Sequence, residues 1–331
     1  MKVAVTGANG HVGVNLCRTL LARGHQVKTL THKNTDFLKG LQVEQIRGDV
    51  LNPDSLTTLT EGADVIFHLA ARISITGDDD GLVRKINADG TRNVVEAAKV
   101  AGVKKFIHFS SIHAFRQGPS DSVLDETRPL VTNTGYAYDQ SKAIGERVVK
   151  EASQNGLDAV IISPTAILGP QDPAPSLVGE AVIELYRRKI PAIVPGGYNW
   201  VDVRDVVEGA LSASERGMRG EKYLLSGTYC PLPEFAAMIS RIGDVKATKL
   251  VMPFWVARVG LPFITAYSRL TGSKPLYTSE SINILQEGNT MISNEKARRQ
   301  LNYNPRSLEA TLTDLIAWFR ESGHLPKPES K

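Results

Sequence analysis

The stretch KVAVTGANGHVGVNLCRTLLARG, residues 2–24, decides how this chain folds. A short β-branched run closes at Thr6, glycines stand at positions 7, 10 and 13, and apolar residues then recur at helical spacing until Gly24. A strand that turns through glycines into a helix leaves the first backbone N–H groups of that helix without intrahelical partners. Those donors, at the positive end of the helix dipole, suit a diphosphate. The glycines permit a tight turn and close approach of backbone to a ligand. A glycine triplet alone is weak evidence and can be purely structural; its place between a strand and a helix gives it meaning.

The same alternation continues. QVKTLT (26–31), VEQIRGDV (43–50), DVIFHLA (64–70), KKFIHFSS (104–111) and DAVIISP (158–164) read as further strands. Between them, PDSLTTLTEG (53–62), NADGTRNVVEAAKVAG (87–102) and residues 136–155 read as helices. Strands separated by crossover-length connections predict an α/β fold, a doubly wound parallel sheet over residues 1–165. After Pro164 prolines and glycines crowd the chain. WVDVRDVVEGALSASERG (200–217) reads as a helix and EKYLLSG (221–227) as one more strand, so 200–228 is expected to return to the first domain. Residues 166–199 and 229–325 are expected to form a smaller, discontinuous substrate lobe, and the tail LPKPESK reads as disordered.

Composition narrows the function. With 331 residues, 42% hydrophobic and 22% charged, the chain has the profile of a soluble globular protein. Net charge is +4 with both signs interspersed, which argues against a nucleic-acid surface. Cys17 and Cys230 have no local partner and the seven histidines show no ligand spacing, so neither a disulfide framework nor a metal site is expected. The first strand starts without an apolar leader, and a cytoplasmic location is the expectation. LVMPFWVARVGLPFITAYSRL (250–270) is interrupted by Pro253, Arg258 and Pro262; it reads as a buried or pocket-lining segment rather than a membrane span or a membrane-surface contact.

TGYAYDQSK, residues 134–142, carries the chemistry. On a helix, residues four apart lie about 40° apart on one face, so Tyr138 and Lys142 are neighbours and Tyr136 is not. A phenol with a pKa of about 10 exchanges protons poorly near neutral pH. An adjacent ammonium would lower that value and make Tyr138 a usable acid or base. In isolation such a pair is ordinarily just a surface contact; its order behind the glycine turn and FSS argues for catalysis.

These motifs together resemble the extended short-chain dehydrogenase/reductase superfamily, in its dihydroflavonol-4-reductase-like and 3β-hydroxysteroid-dehydrogenase-like branch. The resemblance covers residues 1–170 and extends into WVDVRDVVEGAL. It implies a Rossmann-type fold and an NAD(P)-dependent enzyme with Ser111, Tyr138 and Lys142 as catalytic residues; Ser110 is the backup for Ser111. By the same resemblance the cofactor meets Gly7, Asn9, Gly10, His11, Val12 and Gly13. It also meets Asp49 and Val50, then Leu69, Ala70 and Ala71 of HLAA, Tyr138 and Lys142, and Pro164, Thr165 and Ile167 of PTAILGP. Asn87 matches a structural asparagine. A homodimer through helices near 88–101 and 136–155 is expected by analogy.

The acid that an NAD enzyme carries at the end of the second strand is replaced by Thr31, followed by His32 and Lys33. A hydroxyl beside two potential cations favours a 2′-phosphate, so NADP is expected over NAD, which remains possible. Tyr198, Asn199 and Trp200 stand where a sugar-nucleotide enzyme would carry an arginine, and 250–270 is apolar and aromatic. The expected substrate is therefore a small apolar or aromatic carbonyl or its alcohol. Arg187, Arg188, Arg258 and Arg269 keep a nucleotide-sugar epimerase in view, and a non-catalytic dinucleotide sensor is the third reading. His113 is either a substrate contact or a plain loop residue, and Asp202 with Arg204 reads as a structural salt bridge.

Overall fold

The computed structural model describes residues 1–32, 36–75, 77–133, 135–271 and 278–327, with side chains omitted at 36 and 263–271. The strands are β1 (Lys2–Thr6), β2 (Gln26–Thr31), β3 (Val43–Arg47), β4 (Val65–His68), β5 (Lys105–Phe109), β6 (Ala159–Pro164), β7 (Ala166–Leu168), β8 (Gly197–Asp202), β9 (Lys222–Leu225) and β10 (Thr228–Pro231). The helices are α1 (His11–Ala22), α2 (Pro53–Thr60), α3 (Leu82–Arg84), α4 (Gly90–Val100), α5 (Ala137–Gln154), α6 (Leu177–Tyr186) and α7 (Val203–Arg216). They continue with α8 (Leu232–Gly243), α9 (Phe254–Thr271), α10 (Ser279–Glu287), α11 (Glu295–Leu301) and α12 (Leu308–Glu321).

Seven strands pair in the order β3-β2-β1-β4-β5-β6-β9, all parallel, giving the doubly wound sheet that the alternation predicts. The order reverses between β1 and β4, and ligands of such sheets bind in the crevice outside the strand ends at that switch point. One face packs on α1 and α7 through Val3, Val5, Phe67, Ile107 and Val207; the other packs on α2, α4 and α5 through Ile66, Val94, Phe106 and Val149. Of the expected return segment 200–228, α7 and β9 lie with the large sheet, whereas residues 200–202 and 228 belong to strands of a second sheet. With the large sheet also lies α11, whose Ala297 and Leu301 sit in the same core, although the sequence assigned that stretch to the lobe.

A second sheet, β10-β8-β7, packs against α6, α8 and α12 around Trp200, Phe235, Leu312 and Phe319. It was not foreseen. Residues 200–202, expected in a helix, are the end of β8. Asp202 ends that strand with an extended backbone, and its carboxylate accepts from Arg204 N at 2.8 Å, so the helix begins one residue later, at Val203.

Two departures bear on function. The long helix expected from 87 to 102 starts earlier and passes through a π-helical stretch, Lys85–Asp89, between α3 and α4. Asn87 lies in that stretch, and such single-turn interruptions of an α-helix recur at functional sites. The apolar segment 250–270 contains α9, which runs through Pro262. Among the described residues no helix is long and apolar enough to cross a membrane.

Candidate active site

The residues singled out by sequence gather at the carboxyl edge of the large sheet. Gly7 follows β1, Thr31 ends β2, Asp49 follows β3, Leu69 follows β4, Ser111 follows β5 and Pro164 ends β6. The glycine turn sits at the switch point. Gly7 has φ +73°, and a Cβ there would lie 2.7 Å from Ala70 N and Leu69 C. A Cβ on Gly13 would lie 2.2 Å from Gly7 O. Gly10 precedes α1 and offers it no side-chain cap, so the amides opening that helix are left without a capping side chain. This cradle fits a diphosphate, with Asn9 in the turn between Gly7 and Gly10. His11 serves another end: its Nε2 lies 3.1 Å from Pro170 O, and Asn15 Nδ2 donates to the same carbonyl over 3.2 Å. The glycine turn is thereby tied to the loop after β7.

The β4 loop is held by a directed chain of hydrogen bonds. Ala70 N donates to Thr6 Oγ1 (3.2 Å), and the Thr6 hydroxyl meets His68 Nδ1 (2.7 Å). His68 Nε2 meets Thr91 Oγ1 (3.0 Å), whose hydroxyl donates to Asn87 O (2.7 Å). Because the Thr91 hydroxyl donates onward, His68 Nε2 carries the proton between them, and in the neutral ring Nδ1 accepts from Thr6. Burial holds its pKa down at about 3, with the Lys142 charge acting in the same sense. Asn87 bonds on both sides: its Oδ1 accepts from Arg72 N (2.7 Å), while its Nδ2 donates to Arg72 O (3.0 Å) and Ser141 Oγ (2.9 Å). One buried asparagine thus fixes the β4 loop against α5, which bears out its structural reading.

Ser111, Tyr138 and Lys142 converge at the end of β5. Ser111 Oγ accepts from His113 N at 3.2 Å and neighbours the Tyr138 phenol. Ser110, on the opposite side of the strand end, has a buried hydroxyl with no partner in the site. Burial pushes Tyr138 up to about 12, against the pull of the Ser111 hydrogen bond and with the Asp139 charge raising it further. The expected depression by Lys142 is not what this arrangement produces. Lys142 Nζ donates to Phe109 O over 2.8 Å, and burial lowers its pKa to about 8. Desolvation and the Asp139 charge outweigh the Ser111 hydrogen bond, so Tyr138 is a neutral phenol near neutral pH.

Sequence reasoning missed the acidic wall beside this set. His113 Nδ1 lies 3.3 Å from Asp139 Oδ1, and its ring meets Tyr138 edge-on with centroids 5.8 Å apart. Glu280, on α10, is raised to about 7 by burial, then by the Asp139 charge, with His113 opposing. These groups come from three separate elements; His113 is singled out by sequence, whereas only the adjacency of Asp139 to Tyr138 could have hinted at the carboxylates.

The remaining residues singled out by sequence have the following surroundings. The Thr31 hydroxyl is buried and donates to Ile46 O at 3.3 Å, so it is spent on β3. His32 is exposed with Nε2 3.4 Å from Asp49 Oδ2, and Lys33 lies outside the described residues. Asp49 also accepts from Leu51 N at 2.8 Å, and Val50 is a core residue against Gly90. Val12 and Ile167 pack on the core of the large sheet, Ala71 is exposed beyond Ala70, and Thr165 Oγ1 donates to Asn199 Oδ1 at 2.9 Å. Trp200 stacks on Phe235 at 4.3 Å and 10°, and Tyr198 meets Trp200 edge-on. Asp202 and Arg204 form the expected bridge, joined by Asp314. Arg187 donates to His324 O and Arg258 to Asn283 Oδ1; the Arg269 side chain lies outside the described residues. No metal-binding cluster occurs among the described residues.

The model of the NAD dependent epimerase/dehydratase family matches residues 3–226. The chain belongs to that family. It is therefore an extended short-chain dehydrogenase/reductase, an NAD(P)-dependent enzyme of oxidoreductase type. It is 34% identical over 331 residues to sterol demethylase protein B of Methylococcus capsulatus, covering 98% of this chain and 99% of that one. It is 29% identical to 4-hydroxy-2-methyl-3-oxo-4-farnesyl-3,4-dihydroquinoline-1-oxide ketoreductase of Stigmatella aurantiaca, over 92% of each chain. Among solved structures it is similar to gox2253, at TM-score 0.84 and 32% identity, with 98% of this chain and 99% of that chain covered.

Proposed function

We propose that this enzyme reduces the carbonyl of an apolar or aromatic substrate, or oxidises the corresponding alcohol, with NADP as its preferred cofactor. The observation that carries the reading is the meeting of Ser111, protonated Tyr138 and Lys142 at one strand end, beside the glycine cradle. When bound, the nicotinamide supplies the hydride. Gly7, Gly10, Gly13 and the α1 amides would hold its diphosphate, and Lys142 its nicotinamide ribose. Ser111 donates a hydrogen bond to the carbonyl oxygen and orients it. As the carbon accepts hydride, the C=O bond becomes C–O⁻, and the Tyr138 proton passes to that oxygen to give the alcohol. The phenolate left behind is offset by Lys142 one helical turn away and by the Ser111 hydrogen bond.

Two observations support an apolar substrate over a sugar nucleotide. The β8 positions where an arginine was sought are occupied by Tyr198, Asn199 and Trp200, which are engaged in packing and hydrogen bonds. The relatives named above include a sterol demethylase protein and a ketoreductase of a farnesylated quinoline oxide. The NADP preference rests on the absence of an acid at the end of β2 and on the exposed His32 there. In this reading the small sheet and its helices form the substrate lobe.

The test is NADPH consumption across ketosteroids, dihydroflavonols, aliphatic aldehydes and nucleotide sugars, with Kd values for NADPH and NADH. Net oxidation with an apolar carbonyl is expected. Isomerisation of a nucleotide sugar without net oxidation would replace this reading with an epimerase, and equal Kd values would remove the NADP preference.

A further inference from the structure

We infer that the outer face of α9 and the segment leading into it dock this enzyme on an anionic lipid bilayer surface. Over its described side chains, residues 254–262, α9 is apolar on two sides. Its inner stripe, Phe254, Ala257 and Leu261, packs with Val194, Ile282 and Leu285. Its outer stripe is Trp255, Arg258, Val259 and Pro262, spaced i, i+3, i+4, i+7, and all four are exposed. Trp255 is 69% exposed and Val259 65%. The outer side of a surface helix is ordinarily polar.

Leu250 and Val251 extend the patch at 62% and 42% exposure. They are mounted on ordered backbone: Ile193 N donates to Leu250 O (3.0 Å) and Met252 N to Ile193 O (2.8 Å). Single exposed apolar residues need no explanation, but four large ones within residues 250–259 form a patch.

Charge selects the occupant. Between Asp244 and Glu280 the sequence has no acidic residue and has Lys246, Lys249, Arg258, Arg269 and Lys274. That is a local break from the mixed charge of the rest of the chain. Lys246 and Lys249 are exposed on the approach to α9. A second copy docked two-fold on this face would set Lys249 and Arg258 against themselves, which like charges oppose. Basic side chains around an exposed tryptophan and aliphatic stripe are what an interfacial helix carries, with the apolar side in the acyl boundary and the cations at anionic headgroups. The contact is peripheral. It stands independently of which substrate the enzyme takes.

The test uses the full chain with sedimented vesicles of phosphatidylcholine alone and of phosphatidylcholine mixed with phosphatidylglycerol. Association with the anionic vesicles and little with the neutral ones is expected, weakening as salt rises. Trp255→Ser/Val259→Ser and Lys246→Glu/Lys249→Glu should each reduce it roughly tenfold or more, with unchanged thermal midpoints because all four sites are exposed. Arg258 is left intact because it also holds Asn283. Failure of the wild-type chain to bind anionic vesicles, or binding that survives both variants, would overturn the inference. So would a dimer in sedimentation velocity that Trp255→Ser/Val259→Ser converts to monomer, since the face would then be a subunit contact.

Discussion

The Asn283 side-chain amide donates to the Tyr136 hydroxyl over 2.9 Å, while its own oxygen accepts from Arg258. Tyr136 is the residue before α5, held extended, two positions ahead of Tyr138. The bond therefore ties α10 to the start of the helix that carries the proposed acid. Asn283→Ala and Tyr136→Phe should each lower kcat several-fold, on the order of the ~1 kcal/mol that such a bond contributes. The double variant should be no worse than Asn283→Ala alone, because Tyr136→Phe removes only the interaction that the two residues share. Additive losses in that cycle would show that the two side chains act separately.

Tyr138→Phe removes the proton and little else. Turnover should fall about a thousandfold or more, while the cofactor Kd stays within about twofold, as fluorescence titration would show. Lys142→Met should weaken both. Retention of turnover in the phenylalanine variant would exclude the phenol as the acid.

Asn87 is 3% exposed and joins the β4 loop to α5. Asn87→Ala leaves Arg72 N, Arg72 O and Ser141 Oγ without that partner. A loss of about 2–3 kcal/mol in urea unfolding is expected, with weaker cofactor binding from the loosened loop. Wild-type stability in this variant would mean that water or a neighbour takes over the bonds.

Glu280 gives the stability of the fold a pH dependence. The folded protein keeps its proton to about pH 7, whereas an unfolded chain releases it near 4.5. Between those values the native state binds more protons, so this group makes stability fall as pH rises. Glu280→Gln does not ionise and escapes that loss. Its stability relative to wild type should improve by about 1 kcal/mol between pH 5 and pH 7.5, a figure held down by solvent near the group. A constant difference across that range would place the carboxylate outside the coupled cluster.

The large sheet was readable because its strands are local and strongly patterned, and because Gly7, Gly10 and Gly13 have one place in such a sheet. The pairing of Tyr138 with Lys142 on one face was readable from helical geometry. The direction of Lys142 was not, since it depends on Phe109 O, which comes from a strand more than thirty residues earlier. The second sheet escaped because β7 and β10 are only three and four residues long, too short to show a period, and because Pro164 and Gly197 mask the strand ends. Glu280 escaped for a different reason: its environment is assembled by tertiary contact with Asp139 and His113.

The return of α7, β9 and α11 to the large sheet constrains how such a protein diversifies. A recombination point near Thr165 would deliver the small sheet with its own core intact. It would also deliver Val206, Leu225 and Leu301, which must pack against Ile107, Val160 and Ile162 from the other parent. Every hybrid made at that boundary carries a seam through the middle of its main core. Residue replacement within the small-sheet unit therefore disturbs the main core less than exchange of that unit would.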